Sequence, residues 1–315
     1  MDRKKSDTKR IKDKGMIRMK KTIVTIGIAV AALLGACSNT DESIVISGKP
    51  WTEQYILPQI LGQYIEEKTD YKVKYKDGLG EVAIMTPALE KGDVDLYVEY
   101  TGTGLKDVLK EKSEVGESSE SVLERVRKGY EEQFNATWLS PLGFENTYTL
   151  AYTKDKDYDA KTYSDLVEAS RFGDMVFGAP HAFFERQGDG FDDLINSYPF
   201  TFTETKSLDP NVMYEAVKKG DVDLIPAFTT DGRIERFDLQ TTEDDLGFFP
   251  KYDAAPVVRL DALEKFPKLE KVLNELSGKI TEEDMLKMNA RVDIDGEKAE
   301  DVARDFLIEK GLIDK

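Results

Sequence analysis

KGDVDLYVEYT (residues 91–101) and KGDVDLIPAFT (residues 219–229) are the two stretches that decide how this chain folds. They agree at seven of eleven positions, and each follows a short helical pattern, over 85–91 and 213–219. Gly92 and Gly220 read as helix stops, and the runs 94–98 and 222–226 read as buried strands. One helix–glycine–strand junction would be unremarkable. Two so alike imply two similar α/β lobes, each presenting an aromatic at the end of an equivalent strand. Tyr100 and Phe228 then face one another across a cleft. Open α/β sheets bind ligands beyond the carboxyl ends of their strands.

Outward from these stretches, β and α patterns alternate, which predicts sheets covered by helices. A strand at 44–47 ends in a glycine turn, and a helix over 55–67 is interrupted early by Pro58. A strand is expected at 71–75, a helix at 121–134, and strands at 148–152 and 175–178. From residue 260 onward the pattern is mainly helical, with Thr281 capping a helix whose first turn is acidic.

The N-terminus reads as an address. Residues 1–21 are polar and basic, residues 22–36 are apolar, and the run stops at Leu34-Gly35-Ala36-Cys37. The apolar run falls short of the about 20 residues that span a bilayer. It fits a signal peptide over 1–36, with a polar tether over 37–43. The Leu-x-x-Cys site resembles the lipobox of bacterial lipoproteins, with Cys37 lipidated and becoming the mature N-terminus. Cys37 is the single cysteine, so structural disulfides and cysteine metal sites are not expected. Residues 1–36 carry ten basic and three acidic side chains; the other 279 carry 34 and 58, a net of −24. So acidic a body repels phosphate backbones, which argues against nucleic acid as a partner.

The aromatics Trp51, Tyr100, Tyr148, Phe228 and Tyr252 each fall at an expected strand end or in the loop after one. Ring faces offer negative potential without requiring a hydrogen-bond donor, so a box of them suits a quaternary ammonium. Catalysis has little to stand on. His181 is the single histidine, and no surrounding motif supplies a nucleophile and an orienting partner. There is no calcium loop, Walker glycine pattern or Rossmann glycine pattern. No cofactor or metal is expected. The paired aspartates Asp93/Asp95 and Asp221/Asp223 read as turns and strand starts rather than metal ligands.

At these residues the chain resembles the substrate-binding lipoproteins of osmoprotectant ABC importers, of the glycine betaine, carnitine and choline type. The segments that carry the resemblance are Trp51-Thr52-Glu53-Gln54, Glu99-Tyr100-Thr101-Gly102-Thr103, the run 228–234 and the run 247–256. It implies a two-lobe, periplasmic-binding-protein-like (type II) clamshell with two crossover strands. Lobe I takes 44–147, lobe II takes 148–253, and 254–315 returns to lobe I. It also implies an aromatic cage of Tyr100, Tyr148, Phe228 and Tyr252, with Phe228 where many members carry tyrosine. Thr103 falls at a position that contacts the ligand tail. A threonine there resembles the broad betaine and carnitine type, and an acidic residue resembles the choline-selective type.

Lys49 either pairs with a ligand carboxylate or simply faces solvent after a turn. Trp51 either lines the cleft or packs the first helix, and Thr52 caps that helix or meets ligand. His181, Thr230 and Asp231 are expected just behind the ligand-facing side chains. The implied partners are a quaternary ammonium solute, an ABC permease with its ATPase, and the bacterial cell membrane through the lipid on Cys37. The extracytoplasmic body is expected to be monomeric. The same architecture also serves choline, carnitine or a sulfonium or other cationic solute.

Overall fold

A computed structural model describes residues 42–114 and 116–314. The expected signal peptide and Cys37 lie outside the described residues. The strands are β1 (Ser43–Ser47), β2 (Lys72–Lys76), β3 (Leu96–Tyr100), β4 (Ala136–Trp138), β5 (Tyr148–Thr153), β6 (Val176–Pro180), β7 (Glu204–Leu208), β8 (Ile225–Phe228), β9 (Leu239–Thr242) and β10 (Ala254–Arg259). One sheet has the order β2-β1-β3-β10-β4, parallel through β2, β1 and β3 and antiparallel on either side of β10. In the other lobe β8-β5-β9 is antiparallel, and β6 and β7 form a parallel pair. A parallel bridge from Phe177 to Leu224 joins that pair to the β8 side. The order β7-β6-β8-β5-β9 therefore repeats the first sheet strand for strand. In both, the strand that follows the repeated stretch pairs with a strand entering from a crossover.

Both faces of each sheet are covered. In the first lobe one face packs Ile44, Ile46 and Val98 against α1 (Thr52–Lys68) and the C-terminal helices. The other face packs Tyr97 and Val257 against α2 (Val82–Lys91) and the helix Ser119–Phe134. Lobe II has the same two-sided arrangement, around Leu150, Phe177 and Leu224 on one face and Ala151, Ile225 and Val217 on the other. Burial on both faces is why these strands read as continuous apolar runs.

The repeated sequence has a structural cause. Gly92 and Gly220 both hold left-handed backbone, at φ 81° and 77°, where a side chain would be strained. Asp95 and Asp223 each clamp the strand beside them. The Val45 N–H donates to Asp95 Oδ2 at 2.8 Å, while the Asp95 N–H donates back to the Val45 carbonyl at 2.8 Å. The Val176 N–H donates to Asp223 Oδ2 at 2.9 Å, and the Asp223 N–H returns to the Val176 carbonyl at 2.8 Å. These turns use up residues expected to be strand, so β3 and β8 begin later than their hydrophobic runs.

Three further differences from the sequence expectation have local reasons. Helix α1 runs unbroken through Pro58. Pro58 has no N–H for the carbonyl of Gln54, and Gly48 packs so closely on that carbonyl that a side chain at residue 48 would collide with it. Strands β7 and β9 are polar and partly exposed, with no apolar alternation to reveal them. Thr52 is not the cap of α1. Trp51 takes that place without a side-chain bond, and the Thr52 hydroxyl donates to Asp293. The Thr281 cap is present, as a capping box with Asp284. Among the described residues no helix is long and apolar enough to cross a membrane.

Candidate ligand-binding site

The two crossovers assemble the site. Ala254 at the start of β10 pairs with Tyr100 at the end of β3, and Tyr148 at the start of β5 pairs with Phe228 at the end of β8. Both strand ends open on one cavity of about 750 Å³. Tyr100, Tyr148, Phe228, Tyr252, Thr103, Lys49, Trp51, Thr52, Thr230 and Asp231 all line it. His181 does not. It stands 74% exposed at the start of the helix His181–Glu185, with Nε2 3.3 Å from Glu185, so its expected place behind the ligand is not met. Pro180 ends β6, and the histidine that follows points its polar ring to solvent.

The aromatic wall is strongest on the lobe II side. The rings of Tyr148 and Phe228 lie 4.6 Å apart, tilted by 31°. Phe249 and Phe183 support Tyr148 from behind, at 5.0 and 5.6 Å. Phe228 is 43% exposed, an unsupported ring face on the cavity. Tyr252 is half-buried, and burial pushes its phenol up to about 12, with the Asp189 carboxylate adding to the shift. Burial also raises the Tyr148 phenol, against the opposing pull of Arg186, so both tyrosines present neutral rings at physiological pH.

Tyr100 is different. It is only 4% exposed, and its hydroxyl donates to Glu53 while accepting from Gln54 Nε2 at 3.1 Å. The Lys49 ammonium already lies 5.4 Å from its ring centre and 5.3 Å from that of Trp51. Lys49 itself is 1% exposed and ion-paired with Glu99, so the solvent-facing reading of Lys49 is wrong. Its charge is committed inside the protein. A buried charge is tolerated only when paired in this way.

Four residues that sequence reasoning gave no role complete the walls. Glu53, on the first turn of α1, accepts hydrogen bonds from Asn146 at 3.2 Å, from Asn289 at 3.1 Å, and from the Tyr100 hydroxyl. Burial still raises its carboxyl above the usual glutamate range, although each of those bonds opposes the shift. Asn289 also donates to the Thr230 carbonyl at 2.8 Å, tying the loop after β8 to the helix Glu282–Asp293. Arg186 donates to the Tyr148 hydroxyl at 2.9 Å and, through Nε, to Asp189 at 2.7 Å. Glu53 lay inside a quoted segment without a stated task, and nothing in the sequence pattern marked the other three.

Charge on the lining is mostly internally matched. Lys49 pairs with Glu99, Arg186 with Asp189, and Arg233 with Asp231. Asp231 also accepts from the Tyr214 hydroxyl at 2.8 Å and the Arg233 N–H at 2.9 Å, which secures the loop beyond Phe228. Glu53, Glu81, Asp107 and Asp293 then stand against Arg236. The walls combine ring faces with an excess of carboxylate, which attracts a cation. Among the described residues no group of His, Cys, Asp or Glu side chains is placed to hold a metal ion.

The profile described as the substrate binding domain of ABC-type glycine betaine transport systems matches residues 42–309. The chain belongs to this family. It is 38% identical over 86% of its length to the ergothioneine transport permease/ergothioneine binding protein EgtU of Helicobacter pylori (strain G27), and spans 48% of that longer protein. It is 33% identical to the carnitine transport binding protein OpuCC of Listeria monocytogenes, over 89% of this chain and 91% of that one. The crystal structure of a glycine betaine/carnitine/choline ABC transporter protein superposes with a TM-score of 0.80 at 30% identity, covering 86% of this chain and all of the other. As a family member the chain is an extracytoplasmic solute-binding component with the two-lobe α/β fold, and not an enzyme.

Proposed function

We propose that this protein captures a quaternary ammonium betaine between its lobes and delivers it to an ABC permease, held at the membrane by a lipid on Cys37. The observation that carries the reading is the ring pair of Tyr148 and Phe228, with Tyr252 on the same cavity, among unmatched carboxylates. Each ring face contributes roughly 0.5–2 kcal/mol to a desolvated cation. Arg186 and the Thr103 hydroxyl stand on the same cavity as donors for a ligand carboxylate. The lobes divide at 147/148 and 253/254, where the crossovers run side by side and Glu145 bridges to Asp253. Closure about these crossovers excludes water and strengthens the cation–ring attraction.

The cavity volume favours a second reading, a larger betaine than glycine betaine, such as carnitine or the ergothioneine named for the Helicobacter relative. Calorimetric titration of the purified full-length chain with glycine betaine, choline, L-carnitine and ergothioneine tests both. Saturable one-to-one binding of at least one of the three betaines is the expected result, and the order of affinities chooses between the readings; binding of choline alone would count against both. A folded protein that binds none of the four would overturn the betaine reading.

A further inference from the structure

Asn146 lies where the aromatic part of the cavity meets its polar floor. Its backbone N–H donates to the Tyr252 carbonyl at 3.1 Å, and Tyr148 follows two residues later. Its side-chain Nδ2 donates to Glu53 Oε1 at 3.2 Å. That bond fixes which way the amide faces. A carboxylate accepts and does not donate, and Glu53 also accepts from Tyr100 and Asn289, so the nitrogen of Asn146 points at it and the oxygen points away. Among the described residues no donor reaches Asn146 Oδ1, and the atom is not among the sealed, unpartnered ones. The side chain is half-buried and lines the cavity, so an oriented acceptor is open to whatever the cavity holds.

We infer that Asn146 is a specificity-determining residue that reads a hydrogen-bond donor on the ligand. The ligand class is then a betaine carrying a hydroxyl or ring N–H in addition to its quaternary nitrogen. This inference rests on the betaine reading above. A trimethylammonium group has no N–H, and a carboxylate only accepts, so glycine betaine leaves this oxygen without a partner. The Thr103 hydroxyl turns to donate or accept and does not discriminate; the held amide of Asn146 does. The same oxygen repels a ligand carboxylate, which directs that end of the ligand toward Arg186.

The test compares donor-bearing with donor-free ligands by titration of the full-length chain. L-carnitine and ergothioneine each carry a donor; γ-butyrobetaine, which is carnitine without its hydroxyl, and glycine betaine carry none. The tighter donor-bearing ligand should exceed both donor-free ones by about tenfold or more. In Asn146→Leu that ratio should collapse toward about one, whatever the change in affinity common to all the ligands. A purely structural role would lower all affinities together. A donor-free ligand bound as tightly as the donor-bearing ones by the unaltered protein overturns this inference alone, whether or not the variant folds. Binding of none of the four overturns it together with the betaine reading.

Discussion

Residues 91–101 and 219–229 begin identically and end in different surroundings. In both, a left-handed glycine stops the helix and an aspartate clamps the neighbouring strand through a pair of backbone bonds. Beyond the shared leucine they diverge. Strand β3 runs inside a sheet, between β1 and β10, and all five of its residues are buried. Strand β8 pairs along its length with β5 alone and carries Pro226, whose missing N–H would be costly between two full ladders. Tyr100 is accordingly a buried, hydrogen-bonded part of the cavity floor, whereas Phe228 is an open ring. A common scaffold fixes where an aromatic stands; the strands around it decide whether that aromatic holds the structure or faces the open cavity.

The largest expected effect comes from breaking the shared half. Asp95→Ala leaves the Val45 N–H without its acceptor and removes a partner of Arg259; Asp223→Ala does the same to Val176 and Lys156. Each should cost about 2–3 kcal/mol in urea unfolding. A loss below about 0.5 kcal/mol in either would show that the two clamps are not equivalent.

The divergent half should separate stability from binding. Tyr100→Phe removes a buried donor from Glu53 and should cost about 1–2 kcal/mol of stability. Phe228→Ala should leave the melting temperature almost unchanged and weaken quaternary ammonium binding about fivefold to tenfold, read by calorimetry. Equal stability losses in the two variants would erase the distinction drawn between them.

Acidity sharpens the same contrast, because the Tyr100 hydroxyl donates to the Glu53 carboxylate. The Glu53 carboxyl titrates above its ordinary 4.5, since burial disfavours its charge. As pH falls from neutrality toward that value, Glu53 takes up a proton and the cavity loses an anion. Affinity for a quaternary ammonium should then drop about threefold. Glu53→Gln should flatten this part of the profile; an unaltered slope would assign it to other groups.

The smallest effect concerns the contact between lobes. Lys106, in the helical segment Gly104–Val108 after β3, reaches Asp189 of the other lobe at 3.5 Å, and Asp189 in turn holds Arg186. Lys106 is about half exposed, so Lys106→Met should speed ligand release by about twofold, less at high salt. Release that does not change with the substitution would show that the pair does not contribute to closure.

Much of this was legible beforehand, for identifiable reasons. The repeat exposed the lobes because its glycine and aspartate are needed for local backbone geometry, which a sequence records directly. The aromatics Tyr148, Phe228 and Tyr252 were legible because they stand at strand ends, where an apolar ring has no core to enter. Asn146, Arg186 and Asn289 were not, because a polar residue in a loop or helix carries no mark of what it faces. His181 was misplaced for the converse reason: a rare residue near the right segment says nothing of which way the chain turns it.

The sequence by itself therefore determined the repeated helix–glycine–strand junctions, the acidic character and the family, each of which depends on local pattern. Only the tertiary structure decided that Lys49 spends its charge on Glu99, that Tyr100 is floor and Phe228 is wall, and that Asn146 holds an oxygen open to the cavity. Those outcomes depend on partners 50 or more residues away for Lys49, 47 for Tyr100 and 93 for Asn146, brought into reach by the crossovers and the packing of α1. Hydrogen bonding and burial act over a few ångströms in space, and no spacing along the chain encodes that distance.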